Sequence, residues 1–285
     1  MTRRTFIASV GTAATIAAQN RLSAVQVVER IKEKLAAEGV VWGPSSFDGF
    51  HLGNPDALIT GVATTFQPTL DVLQRAAATG KNLVISHEST WWDGFDPYES
   101  LVNDPVCRTK VQFGEQHNMV VWRIHDHWHR RKPDPIFVGL AKKLGWADYY
   151  DAVNRPRHYA IPEMTLEQVG RHIQDRLGTK NVVVVGARDL KVRTIADCAH
   201  VLSSVLPSLR LYDVALVGET PQHDTFEYVR DAIALGEPKD VVMISHEALE
   251  EWGMEICAEW LRPLVPELPV EFVPAGDPFR VPAAT

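Results

Sequence analysis

Cysteine is scarce: three residues in 285, Cys107, Cys198 and Cys257, lie far apart and without CxxC spacing. That excludes a disulfide framework and a thiolate zinc site. Cys198 and Cys257 fall in apolar helical patterns and are expected in the core. Long apolar runs are missing too; none reaches the ~18 residues a membrane-spanning helix needs, so no membrane span is expected. Surplus positive charge is absent: the formal net charge is −7, and Arg130-Arg131-Lys132 is a short basic stretch beside a His/Asp cluster. Nucleic acid and anionic membranes are therefore poor partners. There is no glycine-rich phosphate loop and no low-complexity linker. What remains is an ordinary globular composition, 45% hydrophobic and 23% charged, long enough for one large α/β domain or two intertwined ones.

The most informative feature present is a repeat. Val84-Ile85-Ser86-His87-Glu88 is echoed by Met243-Ile244-Ser245-His246-Glu247. Upstream, Thr69-Leu70-Asp71-Val72-Leu73 matches Thr225-Phe226-Glu227-Tyr228-Val229, followed by Ala76 and Ala232, then Gly80 and Gly236, at equal offsets. Each copy reads as helix, glycine stop, apolar strand, then His-Glu where the strand ends. A duplicated strand-end imidazole predicts two half-domains that bring both His-Glu pairs into one site.

Around the repeat, residues 23–38 carry apolar positions at Val27, Val28, Ile31 and Leu35 behind a Ser cap, predicting an amphipathic helix. Short strands are expected at 48–52 and 59–65, a helix at 69–78, a buried strand at 82–86, a helix at 106–117 and a strand at 119–124. Further helices are expected at 137–144 and 165–177, and strands at 182–185, 193–195, 211–217 and 270–273, with 196–206 helical or loop-like. The alternation predicts an α/β fold, in which 21–134 and 216–285 form the metal-site core halves and 135–215 is a middle inserted subdomain. The first 20 residues differ in kind: Thr2-Arg3-Arg4-Thr5-Phe6-Ile7 and an Ala/Thr/Gly run to Ala18 resemble a twin-arginine export signal, implying a periplasmic protein; a frayed N-terminal helix, and with it a cytoplasmic protein, is the other reading.

Three histidine-bearing clusters each follow an apolar strand. His246 and Glu250 are four apart, so on a helix they share one face and make half a site for a divalent ion; a capping His with a solvated Glu is the plainer reading. His87 and Glu88 precede Trp91-Trp92, a pocket wall or an interface. His125-Asp126-His127-Trp128-His129 puts three imidazoles and a carboxylate in five residues. Nitrogen and oxygen donors suit Zn, Mn, Fe or Co.

The strand Gly61 to Thr65, His87, the His125 element, the Lys180 to Gly186 segment, Gly218-Glu219-Thr220-Pro221-Gln222-His223-Asp224 and Ser245 to Glu250 with Trp252-Gly253-Met254 together resemble one family. It is the toroidal, dinuclear-metal family of NGG-one-interacting factor three, whose members carry the name GTP cyclohydrolase I type 2 homologues, and the resemblance runs from about Val25 to the end. It implies a trimer-based homo-hexamer and two divalent ions. The family's first element usually carries a second histidine where this chain has Glu88, and its middle element an aspartate four after the histidine, where this chain has His129. His87, Glu88, His129, His246 and Glu250 then keep three imidazoles and two carboxylates; in a competing register Asp126 is the ligand and His129 only supports it, and a third possibility is a single ion. His125, His127 and His223 are candidates for proton transfer or for orienting ligands. The expected activity is metal-dependent hydrolysis of a small polar substrate, of nucleotide or cyclic amide type, with a non-enzymatic metal-binding scaffold as the alternative. Reading His125-Asp126-His127 as the His-x-His of an amidohydrolase barrel ranks last, because that motif opens such barrels and here it arrives mid-chain.

Overall fold

A computed structural model describes residues 22–45, 47–198 and 202–282; the proposed export signal lies outside the described residues. Helix α1 (Ala24–Ala37) begins at a capping box, in which Ser23 accepts from the Gln26 amide and the Gln26 side chain returns to the Ser23 amide. The first sheet follows: β1 (Gly49–Leu52), β2 (Val62–Thr65), α2 (Leu70–Ala78), β3 (Leu83–Ser86), α3 (Tyr98–Leu101), α4 (Pro105–Gln116) and β4 (Val120–Arg123). Its order is β1-β4-β3-β2-β10, where β10 is Val270–Phe272. The four strands β4, β3, β2 and β10 run parallel, and β1 closes the edge antiparallel to β4.

The chain then forms α5 (Asp126–His129) and α6 (Pro135–Leu144), and enters a second sheet through β5 (His158–Thr165), α7 (Leu166–Leu177), β6 (Val183–Val185), β7 (Lys191–Asp197), α8 (Leu202–Leu211), β8 (Val214–Val217), α9 (Gln222–Ala234) and β9 (Asp240–Met243). The order is β5-β7-β8-β9-β6, parallel in the centre with an antiparallel strand on each edge. Helices α10 (His246–Glu250) and α11 (Trp252–Leu261) complete the chain before β10.

Successive residues of a strand face opposite sides of a sheet, and the buried clusters follow that alternation. Val62, Leu83, Ile85 and Val120 pack with α1 and α11, while Ala63, Val84 and Val121 pack with α2 and Cys107 of α4. In the second sheet Val214, Leu216 and Val242 pack with α6 and α7, while Ala215, Val217 and Val241 pack with Val205 and Leu209 of α8 and Val229 of α9. The protein is thus two α/β/α sandwiches, each built on a parallel strand–helix–strand unit: β2-α2-β3 in one, β8-α9-β9 in the other. The two open sheets leave no place for an amidohydrolase barrel.

Two features differ from the sequence expectation. Residues 216–243 lie in the second sheet, so the boundary expected at 215/216 falls inside β8, which pairs in parallel register with both β7 and β9. Helix α10 still packs with the second sheet, and the chain returns to the first sheet with α11 and β10. Strand β5 was not expected; Pro162 lies within it, where the register shifts between Ala160 and Met164. Proline cannot donate to a ladder and is tolerated on an edge strand, which is where β5 sits.

The sandwiches meet where α6 crosses α11. A Cβ on Gly139 would lie 2.4 Å from the Trp252 carbonyl carbon, and one on Gly253 would lie 2.6 Å from the Ile136 Cα. Only glycine at both positions lets the two helix backbones touch.

Candidate metal centre

His87 follows the last residue of β3 and His125 comes two residues after the end of β4. These are adjacent parallel strands, so both imidazoles stand at the same carboxyl edge of the first sheet, where open α/β sheets bind ligands. In the second sheet β9 ends at Met243, Ser245 caps α10 by accepting from the Ala248 amide, and His246 begins the helix. One turn later Glu250 projects from the same face, its carboxylate 1% exposed.

The two sheet edges converge on Glu250. Its Oε2 lies 3.3 Å from His87 Nε2 and 3.1 Å from His246 Nε2. The duplicated His-Glu elements therefore meet in one place, joined by Glu250 rather than by Glu88 or Glu247. Donor atoms of His87, His125 and His129 lie within 4.8 Å of one another, as do those of His87, Glu88 and Glu250. The rings pack accordingly: the His87 ring stacks on His125 with centroids 4.6 Å apart and meets His129 edge-on at 4.9 Å.

All four imidazoles are held the same way. Nδ1 of His87 faces the Ile124 carbonyl at 3.3 Å, that of His125 the Asp126 carboxylate at 3.0 Å, that of His129 Asp134 at 2.8 Å, and that of His246 Glu219 at 3.2 Å. Each partner can only accept, so each Nδ1 carries a proton, and wherever the ring is neutral Nε2 keeps its lone pair. Carboxylates and carbonyls behind ligating histidines fix the tautomer in this manner. The buried Nε2 of His87 makes no hydrogen bond of ordinary geometry. A fully buried imidazole lone pair aimed at a carboxylate and two further imidazoles fits a divalent cation of the N/O-loving kind.

Electrostatics separate the rings: without an ion His125 is held neutral, while the carboxylates favour the cationic forms of His246 and His129, whose Nε2 protons a metal would displace. Burial, and then the neighbouring His87 and His129, push the His125 pKa down to about 4, keeping the ring neutral and able to ligate. Burial opposes the charged form of His246, but the hydrogen bonds to Glu219 and Glu250 outweigh it and push the pKa up to about 11. Burial likewise disfavours the Glu250 carboxylate, yet His246 and His87 hold its pKa well below the usual range. His129 is raised: Asp134 and Glu250 outweigh burial.

The other sequence candidates lie outside this cluster. Asp126 accepts from Ser45 Oγ at 2.8 Å and from His125, so it orients a donor while His129 sits among the donors. His127 is fully buried and used on both sides: Nδ1 donates to Asp48, Nε2 accepts from the Gly43 amide at 3.0 Å, and the ring stacks on Trp42 at 3.7 Å. No lone pair is left for proton transfer. His223 is 85% exposed, its nearest ionic partner Asp224 at 3.5 Å; it is a surface residue. His125, expected to move protons or to orient ligands, stands with His87 and His129 among the converging donors. Helical geometry explains the split, since positions i and i+2 of a turn cannot face one target.

Several residues that build the site went unread in the sequence. Asp48 accepts from the amides of His125, Asp126 and His127 at 2.6, 3.0 and 3.0 Å, capping the histidine element from 77 residues away. Arg123, 1% exposed, donates to the carbonyls of His87 (3.0 Å) and Gly94 (2.7 Å) and to Glu88 Oε2 (2.8 Å). Glu88 Oε1 is thereby left facing His125 Nε2 at 3.7 Å. Asp134 was readable as a cap before Pro135; its second role, behind His129, was not. Above the donors opens a cavity of about 510 Å³, lined by Glu88, Arg123, Glu219, Glu247, Phe66 and Trp92 among others.

No helix among the described residues is long and apolar enough to cross a membrane. Curated proteins offer no match. Among solved structures, the chain is similar to the Staphylococcus aureus hypothetical protein SA1388, with a TM-score of 0.69 at 18% identity over 92% of this chain and 100% of that one. It is similar to a Bacillus cereus protein related to NIF3, with a TM-score of 0.70 at 14% identity over 92% and 100%. A third similar structure is reduced HcgD from Methanocaldococcus jannaschii, with a TM-score of 0.62 at 18% identity over 88% and 98%. At such identities these likenesses establish the fold alone. The sequence model of one family matches residues 23–278, nearly all that is described, and on that match the chain belongs to the Duf34/NIF3 (NGG1p interacting factor 3) family.

Proposed function

We propose that the protein is a metal-dependent hydrolase of a small polar substrate, with His87, Glu88, His125, His129, His246 and Glu250 as the ligand set. The observation that carries this reading is the convergence of donors from both sheet edges, each imidazole tautomer fixed from behind, beneath an open cavity. An imidazole offers one lone pair, so His87 would serve one ion; Glu250, whose Oε2 faces both His87 and His246 and which has a second oxygen besides, is the residue suited to sharing by two. A bound divalent ion supplies Lewis acidity, which polarises a carbonyl and acidifies water. The chain's own residues do the rest. Arg123 holds one Glu88 oxygen so that the other faces the donors. Glu219 retains the His246 Nδ1 proton, and its 65% exposure gives that proton a path to solvent. In this reading the protein assembles as a homo-hexamer and is exported, already folded and loaded, through the paired arginines at 3 and 4.

The test is metal content per chain by mass spectrometry, with hydrolysis of a panel of cyclic amides and nucleotides. Wild type should hold one or two transition-metal ions, His87→Ala and Glu250→Gln should lose them, and His223→Ala should keep them. Absence of metal from wild type after mild purification defeats the reading. Metal retained with no hydrolysis of any panel member leaves the scaffold.

A further inference from the structure

The cavity over the donors carries a charge pattern that narrows the substrate. Three carboxylates line it: Glu88, Glu219 and Glu247. Apart from histidines, its lining cation is Arg123, and that guanidinium is committed: it donates to two backbone carbonyls and to Glu88, and lies 3.4 Å from Asp96. One divalent ion in the proposed site would be neutralised by Glu88 and Glu250, leaving the mouth negative through Glu219 and Glu247. A second ion would bring the whole only to neutrality. Neither case leaves positive charge for a phosphate chain.

The walls are aromatic. Phe66 packs edge-on to His246 at 5.1 Å. Trp92 is 48% exposed and held in place by the buried Lys110, whose Nζ sits 5.0 Å from its ring centre and donates to the Thr90 carbonyl. An exposed indole beside carboxylates suits a flat ring.

We infer that this cavity selects a neutral or cationic planar ring bearing an amide, and rejects phosphorylated and carboxylated compounds. The inference rests on the proposed hydrolytic site and chooses an amide over the nucleotide. Glu219 and Glu247 set the selectivity, and Trp92 is the platform.

The test uses metal-loaded full-length protein and three probes that share one ring and differ in charge: 1-methylnicotinamide, nicotinamide and nicotinate. Binding is read as quenching of tryptophan fluorescence, with Trp92→Phe identifying the signal, and metal content is measured on the same sample. The expected order of affinity is cation at least equal to neutral, and neutral above anion by on the order of tenfold. The double variant Glu219→Gln/Glu247→Gln, checked for unchanged melting, should bring nicotinate within about threefold of nicotinamide. Nicotinate binding as tightly as 1-methylnicotinamide in wild type overturns the inference, as does a Trp92 signal unmoved by all three at millimolar concentration. A sample without metal that keeps the order sinks the hydrolase and spares the selectivity; a metal-bearing sample with nicotinate tightest does the reverse.

Discussion

Replacing Gly253 by alanine tests the claim that one helix crossing sets the spacing of the donors. Helix α6 follows the His125–His129 element, and α11 follows the helix that carries Glu250. Their crossing at Gly139 and Gly253 is therefore the mechanical link between the two halves of the site. The new Cβ would sit 2.4 Å from Ile136 Cδ1 and 2.6 Å from the Ile136 Cα. The methyl can swing away, but the backbone cannot, and ordinary contact requires the helices to part by about 1 Å. Overpacking of this kind costs about 1–3 kcal/mol, partly offset by the ~1 kcal/mol by which alanine exceeds glycine in a helix. A net loss of up to about 2 kcal/mol is expected in urea denaturation at unchanged m-value. The larger consequence concerns metal, because donors held within 4.8 Å do not tolerate a shift of that size. Gly253→Ala should fold and lose most of its metal, and Gly139→Ala should do the same. Because both act on one contact, the double variant should cost less than the two losses added together. Either variant keeping full metal content, with stability within 0.5 kcal/mol of wild type, would show that the crossing does not set the site.

Other outcomes follow from single contacts. Asp48→Asn leaves the three amides of the histidine element with one poorer acceptor; a loss of about 2–4 kcal/mol in denaturation, accompanied by weaker metal retention, is expected. His127→Phe keeps the stack on Trp42 but takes the imidazole donor from the buried Asp48 carboxylate and the acceptor from the Gly43 amide, so stability should fall by about 2 kcal/mol while metal content per folded chain is retained. His223→Ala should alter neither stability nor metal content, and a change in either would return His223 to the site. Asp240 is buried, with a pKa pushed up from 3.8 to about 7 by burial and by Asp213, against the hydrogen bond from the Ala187 amide. Its folded state holds the proton longer than the unfolded state, so its contribution to stability is full below about pH 4 and is lost as pH rises to about 7. Asp240→Asn should then stabilise the protein at pH 8 by about 1–3 kcal/mol after allowance for solvent screening, and have little effect at pH 4; a gain that grows toward acid would reverse the sign and refute the assignment.

The sequence carried the scaffold of the site because strand-end chemistry is local. An apolar run that stops at Ser-His-Glu puts an imidazole at the edge of a sheet wherever that strand pairs, and the i, i+4 spacing of His246 and Glu250 puts both on one face of α10. The sheet partners were not local. Nothing in residues 214–243 distinguishes pairing with β7 from pairing with the first sheet, since both offer parallel apolar neighbours. The histidine element shows the same limit at smaller scale. His125 and His127 are equivalent in composition, and Trp42, Gly43 and Asp48, some 80 residues upstream, decide that one is captured by packing while the other turns to the donors.

Glu88 illustrates why a donor inventory is not a site. By residue type it supplies the carboxylate that the middle element lacks. In the structure one of its oxygens belongs to Arg123, whose guanidinium also ties the backbone after β3 to the loop at Gly94 and Asp96. A histidine at position 88 could not accept that bond while also presenting a lone pair to the donors, so Glu88 and Arg123 form a unit: the arginine is stabilised in a buried position by a carboxylate that itself faces the cluster. His125 completes the nitrogen count, which its place in the sequence left open. Four imidazoles and two carboxylates gather in one place. Packing around Arg123 and the capping of His125 by Asp48 thus decide which way Glu88 and His125 face.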